Sequence, residues 1–270
     1  MEYILFNQHF ELDGQATNSP KPELVVYEVL RVINNVPLFY EDHLERLHHS
    51  CEIVGKKIDL DAVVFLNQLI GLSLKNSITH GNLMISVLFF PDNHQVKAQF
   101  IPHVYPREQA YVSGVEVGFM DAERPNPNAK VAQTSVRIEA DKILAQTGFY
   151  EVLLVDQNHC ITEGSRSNCL GIRENKLFTT PFDKILKGIT LLKVIDIARD
   201  LNIEVVYEPI NRYKLASFDA LFLTGTSPKI LPVNKAGEFK FDVNHPLMND
   251  IRRIYDRMIS NYIAQKKETI

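Results

Sequence analysis

The octapeptide ITEGSRSN, residues 161–168, sets Glu163 between two apolar runs, EVLLVD at 151–156 and CLGI at 169–172. Both flanks read as buried strands. A buried carboxylate without a partner is strongly unfavourable. Either Glu163 is a solvated edge residue, or a cation meets it inside the sheet. Lys130 raises a related question. It ends the proline-containing stretch DAERPNPNAK and has apolar Val131 beside it. A lysine held in a pocket loses proton affinity and can form a Schiff base with a carbonyl. A solvated surface charge is the plainer reading of any single lysine.

Three further stretches could hold an anion. In LKGITLLKVIDIA a loop runs into a helix at Gly188-Ile189-Thr190. The unpaired amides and positive dipole end of such a terminus suit a phosphate, although a capping threonine with nothing bound is common. In LTGTSP, residues 223–228, a strand enters a small turn whose amides, with the hydroxyl of Thr226, could converge on an anion; an ordinary turn is the alternative. Arg46, in HLERL, lies beside the apolar stripe of its helix, where a guanidinium can serve as a bidentate phosphate partner or remain solvated. The histidines at 43, 48 and 49 are spaced so that their rings scatter around a helix, with no Cys or carboxylate cluster to complete a metal site. No GxSxG, P-loop or GxGxxG occurs.

The elements that must position these groups follow from periodicity. ELVVYEVLRVI (23–33) is rich in β-branched residues and predicts a strand, followed by the turn chemistry of NNVP. Residues 40–55 place Leu44, Leu47, Cys51 and Val54 at helical spacing, with Gly55 suited to end the helix. Residues 60–75 predict a second helix, and 82–90 and 95–105 a pair of strands expected to be antiparallel. Beyond 130 the pattern predicts helices over 134–148, 190–202 and 245–267. Strands are predicted at 151–156, 160–163, 168–173, 176–180, 204–210, 220–226 and 230–233. The chain thus reads as α/β in two parts: a smaller α+β domain at 1–120, a linker at 121–130, and a larger α/β domain at 131–270.

The totals set outer bounds. The chain has 270 residues, 45% hydrophobic and 23% charged, with a formal charge of −4, ordinary values for a globular protein. No basic excess points to nucleic acid or an anionic membrane surface. Three cysteines without a CxxC spacing argue against a disulfide framework or a zinc site, and a cytoplasmic location is expected. No apolar stretch approaches a membrane span or a signal peptide.

Taken together, a phosphate clamp, a Schiff-base lysine and a carboxylate set in a sheet describe a site for pyridoxal 5′-phosphate, whose pyridine ring acts as an electron sink. The linked order of HLERL (43–47), Lys130, Gly148 to Glu151, ITEGSRSN, ILKGIT (185–190) and FLTGTSPKILPV (222–233) resembles the class IV aminotransferase family, the fold-type IV pyridoxal phosphate enzymes. That family contains branched-chain and D-amino acid aminotransferases and aminodeoxychorismate lyases. The resemblance spans roughly residues 25 to 235.

The resemblance implies roles. Lys130 matches the lysine that binds the cofactor and shuttles the Cα proton. Glu163 matches the carboxylate facing the pyridine nitrogen. Arg46, Ile189, Thr190 and Thr226 match the phosphate ligands. Tyr27 and Ser227 match the substrate side. It also implies two α/β domains with the cofactor in the cleft between them, and a homodimer. Some positions depart from the family. Leu191 stands where an arginine usually follows GIT, Gln133 where an asparagine is frequent, and NSPKPELVVYE replaces a glycine-aspartate-glycine stretch. The arginine that D-amino acid enzymes carry on the strand at 82–90 is missing, which weighs against that substrate class. The implied activity is transfer of an amino group between an amino acid, of L-branched-chain or similar type, and a 2-oxo acid. An aminodeoxychorismate lyase that releases pyruvate is the alternative, and a non-catalytic binding or regulatory protein on the same fold is a remote one.

Overall fold

Residues Leu24–Ile33 alternate between buried and half-buried side chains along most of their length, the period-two mark of a strand with one covered face. In the computed structural model, which describes residues 2–14, 21–132 and 135–269, they belong to an antiparallel sheet of six strands. These are β1 (Tyr3–Phe6), β2 (His9–Leu12), β3 (Leu24–Ile33), β4 (Val36–Pro37), β5 (His80–Phe89) and β6 (His94–Ile101), paired in the order β2-β1-β6-β5-β3-β4. Helices α1 (Tyr40–Ile53) and α2 (Ala62–Lys75) pack on the face to which Val26, Leu30 and Val32 point. There they join Leu83, Ile85 and Val87 of β5, Leu44 and Leu47 of α1, and Phe65, Leu69 and Leu72 of α2. Each such side chain contributes roughly 1.5–3 kcal/mol by leaving water.

Local chemistry fixes the ends. Asn34 and Asn35 both take positive φ, 52° and 65°, in the tight turn between β3 and β4, a conformation that asparagine tolerates better than most residues. Asp61 caps α2 by accepting from the amides of Val63 and Val64 at 3.0 and 2.8 Å, worth about 1 kcal/mol. Gly55, at φ +72°, ends α1 as the sequence suggests. The β1–β2 hairpin is not visible in the periodicity: its strands have four residues each, and β2 is mostly exposed.

The second unit contains α3 (Glu108–Ser113), β7 (Val115–Asp121), α4 (Ser135–Thr147), β8 (Glu151–Val155), β9 (Cys160–Gly164), β10 (Asn168–Arg173), β11 (Lys176–Thr179) and α5 (Ile189–Asp200). These are followed by β12 (Val205–Tyr207), β13 (Ile210–Asn211), β14 (Ala220–Gly225), β15 (Lys229–Ala236), β16 (Phe239–Lys240) and the part of α6 (Pro246–Thr269) up to Met258. Its sheet runs β12-β11-β10-β14-β15-β7-β8-β9-β13, with β16 on β15. The pairs β7–β8, β7–β15 and β11–β12 are parallel and the others antiparallel. This is the mixed sheet of an α/β protein.

By internal contacts, one unit comprises Met1–Val104, Ala129–Ala132 and Ile259–Ile270, and the other Tyr105–Asn128 and Gln133–Met258. The division therefore differs from a single boundary in 121–130. Residues 115–121 are a strand, β7, paired with both β8 and β15, and this pairing carries them into the second sheet. Residues 129–132 return to the first unit because Val131 bridges Val26, and Ala132 N donates to Val25 O at 3.0 Å. The predicted helix start at Thr134, and Gln133, lie outside the described residues.

Candidate active site

In the first unit the site is built on a carboxylate that the strand pattern places on the core face. Glu28 shares its face of β3 with Val26, Leu30 and Val32, and it is 0% exposed. Helix α1 lies over it and presents His43 and Arg46, one turn apart on its buried stripe. Arg46 donates Nε to Glu28 Oε1 at 2.7 Å and Nη2 to Oε2 at 2.8 Å, a bidentate fork. His43 Nδ1 lies 2.8 Å from Oε2. Lys130 Nζ reaches the same oxygen at 3.4 Å.

The backbone around Lys130 is fixed by β3. Tyr27 N donates to Lys130 O at 3.0 Å, and Lys130 N donates to Ser50 Oγ at 3.3 Å. The ammonium sits 5.4 Å from the centroid of the Tyr27 ring. The Lys130 side chain is only 12% exposed, so this is not a solvated surface lysine. Burial alone would push the Glu28 carboxyl up. The Arg46 guanidinium and the Lys130 ammonium outweigh that and hold it well below the usual carboxylate range. Burial lowers His43, against the opposing pull of Glu28. The cluster is therefore an ionised carboxylate between two cations and a neutral imidazole. The structure thus brings Tyr27, Arg46 and Lys130 together around Glu28, a residue that sequence reasoning did not single out. Its signal was available: one carboxylate in the apolar half of an alternating strand.

In the second unit Glu163 is the penultimate residue of β9 and is buried. A cation does meet it. Arg124 Nε lies 3.2 Å from Oε1 and its Nη2 donates to Ser165 O at 3.1 Å. Oε2 accepts from Leu186 N at 3.2 Å and faces Asn168 Nδ2 at 3.4 Å. Asn168 is the junction of the unit's polar groups. Its Nδ2 donates to Leu186 O at 2.8 Å, and its backbone pairs with Thr224 on β14. A Cβ on Gly188 would overlap Asn168 Oδ1, so only glycine lets the start of α5 approach this closely. Asn168 closes the ITEGSRSN stretch with no role evident from sequence, and nothing local marks Arg124, which lies in the proline-containing stretch.

The turn after Glu163 hangs on a second buried carboxylate. Glu151 Oε1 accepts from the amides of Val152 and Ser165, at 2.9 and 3.2 Å, and from Ser165 Oγ at 2.6 Å. Oε2 accepts from Arg166 N at 3.1 Å and Ser167 Oγ at 2.9 Å. The serines of ITEGSRSN are thus ligands of Glu151, which fixes the chain that carries Glu163.

Ile189 and Thr190 form the first turn of α5, whose cap, Gly188, makes no side-chain capping bond. Leu192 N donates to Gly188 O at 3.0 Å, so the amides of 189–191 precede the helical ladder. Thr190 Oγ1 lies 3.2 Å from the Tyr255 hydroxyl. Thr226 and Ser227 sit half-buried in the turn between β14 and β15. Just before them Thr224 is fully buried, and its Oγ1 has no partner among the described residues. Open helix-start amides, a close-approach glycine and an orphaned hydroxyl fit a phosphate. A buried carboxylate fits a ring N–H, and a sheltered lysine fits a carbonyl. Taken unit by unit, these donors suit the parts of pyridoxal phosphate each would meet. No cluster of three metal-ligating side chains exists among the described residues.

Comparison with known proteins agrees. Residues 25–236 match the family model described as amino-transferase class IV. The chain is 30% identical, over 82% of its length and 80% of the relative's, to a probable branched-chain-amino-acid aminotransferase of Thermotoga maritima. It is 26% identical, over 77% of each, to D-alanine aminotransferase of Bacillus licheniformis. Branched-chain amino acid aminotransferase of Escherichia coli superposes with a TM-score of 0.85 over 96% of this chain and 94% of that one, at 22% identity. A putative 4-amino-4-deoxychorismate lyase of Legionella pneumophila gives 0.82 over 91% and 96%, at 21% identity. The chain belongs to the class IV aminotransferase family and has the fold-type IV architecture of pyridoxal phosphate enzymes.

Proposed function

We propose that this aminotransferase uses pyridoxal 5′-phosphate to move an amino group from an L-branched-chain or similar amino acid to a 2-oxo acid. The observation that carries the reading is Lys130: an amine withdrawn from solvent, set over the Tyr27 ring and beside an ionised carboxylate. When bound, the cofactor would supply a pyridine ring able to accept the electron pair left on the amino acid Cα. Lys130 would hold its carbonyl and act as the base that takes the Cα proton. Glu163 would accept the ring N–H. Arg46, the Ile189 and Thr190 amides and Thr226 would bind the phosphate. Tyr27 and Ser227 would line the substrate side. The relative named a branched-chain aminotransferase supports the donor class.

A cytoplasmic homodimer is the setting this reading expects. Cys51, Cys160 and Cys169 are all free thiols. No helix among the described residues is long and apolar enough to cross a membrane.

The test is a substrate panel on the cofactor-loaded protein, followed by the visible band of the bound cofactor. L-leucine, L-isoleucine or L-valine should convert it to the pyridoxamine form, and 2-oxoglutarate should restore it. Pyruvate release from aminodeoxychorismate with no oxo-acid acceptor, and no response to amino acids, would instead establish the lyase.

A further inference from the structure

We propose that Glu28 is the resident counterion of Lys130, a positioning residue that stabilises the ammonium form of the unattached lysine relative to its free amine. Glu28 thereby sets the pH at which the free amine becomes available. The inference rests on the reading of Lys130 as the cofactor-binding lysine.

The geometry is asymmetric. Arg46 takes both Glu28 oxygens at 2.7 and 2.8 Å, and His43 takes Oε2 at 2.8 Å. The Lys130 contact, at 3.4 Å, is the longest of the set. The first two partners are held on α1 and orient the carboxylate. The third is on the end of a flexible four-carbon stem and can leave without dismantling the rest. Glu28 is fully buried, so water does not screen it, and its pull on the ammonium exceeds that of a surface ion pair.

Among the contacts described, Lys130 meets Glu28 and the Tyr27 ring from β3, and it shares the Glu28 carboxylate with Arg46 and His43 from α1. Arg46 opposes the lysine charge but is neutralised through both carboxylate oxygens. His43 is kept neutral by its burial. The Tyr27 ring face favours a cation. The balance favours the charged lysine. In the proton transfer, the Cα–H bond breaks, its electron pair stays with the substrate, and an N–H bond forms on Lys130. The resulting ammonium then has a counterion already in place.

The experiment follows capture of pyridoxal by the full chain stripped of cofactor, read as growth of the visible band across a pH series. Pyridoxal lacks a phosphate, so any effect of Glu28 on Arg46 as a phosphate ligand drops out. Glu28→Gln should move the midpoint of the capture rate down by at least one pH unit, equivalent to roughly tenfold faster capture below the wild-type midpoint. Glu28→Asp keeps a charge for Arg46 but withdraws it from Nζ, and should move the midpoint in the same direction by less. It serves where Glu28→Gln does not fold. A midpoint unchanged from wild type in whichever variants fold overturns the inference while leaving Lys130 as the capturing residue. Capture that persists in Lys130→Ala, or none by the wild type, overturns the underlying reading and this one with it.

Discussion

Arg124 Nε lies 3.2 Å from Glu163 Oε1, so the carboxylate that interrupts an apolar stretch is compensated by a guanidinium. Both groups are also tied into the backbone, Arg124 through Ser165 O and Glu163 through Leu186 N. The pair therefore joins the turn after β9 to the loop that leads into α5. Removing one partner should matter more than removing both. Arg124→Met should lower stability by about 2 kcal/mol, discounted from a fully buried pair because Arg124 is partly exposed. Adding Glu163→Gln should recover much of that. Thermal unfolding of the two single variants and the double variant checks this, and strictly additive effects would contradict it.

Glu151 accepts five hydrogen bonds, four of which hold residues 165–167. Glu151→Ala leaves the hydroxyls of Ser165 and Ser167 and the amides of Val152 and Arg166 without this acceptor and should cost about 3 kcal/mol. Glu151→Gln should cost less. A melting temperature unchanged in Glu151→Ala would show that the turn holds itself.

How much of this was legible in the sequence depends on the kind of signal. Strands β3 and β5 and helices α1, α2, α5 and α6 follow apolar periodicity and match their predicted spans to within a few residues. Motif order pointed to Lys130, Glu163 and the start of α5. Residues whose roles depend on which strands become neighbours were harder to see. β7 is a strand because β8 and β15 flank it, and neither pairing leaves a mark on residues 115–121. Arg124 finds Glu163 across 39 positions of chain, and nothing local marks it. Glu28 was readable as a charge out of phase with its strand, but its three partners come from α1 and from residue 130. Asn168 was in view throughout and became meaningful only when Leu186 and Gly188 came to lie beside it.

Gly188 is required by proximity rather than by backbone strain. Its φ is −63°, but an added Cβ would overlap Asn168 Oδ1. Gly188→Ala should displace Asn168, lower stability by about 1–3 kcal/mol and weaken retention of pyridoxal phosphate. Equilibrium dialysis and thermal unfolding measure the two effects. Wild-type values in both would mean that Asn168 can move without consequence.

His43 gives the fold a pH dependence of defined sign. Its native proton affinity lies below the ordinary value of 6.5 because it is buried. As pH falls below about 6.5, the unfolded chain takes up a proton that the native chain does not, and stability declines. Glu28 adds a loss in the same direction at lower pH, where its depressed carboxylate is finally protonated. Melting temperature should fall as pH drops from 7 to 5, and His43→Gln should flatten that slope. An equal slope in the variant would mean that His43 takes up its proton alike in both states.

The most direct test of Lys130 as the cofactor lysine is reductive trapping. The protein is incubated with pyridoxal phosphate, treated with borohydride, digested and mapped by mass spectrometry. The cofactor mass should appear on the peptide containing Lys130 and be lost in Lys130→Ala. Stoichiometric trapping on a different lysine, with Lys130 unmodified, would contradict the assignment.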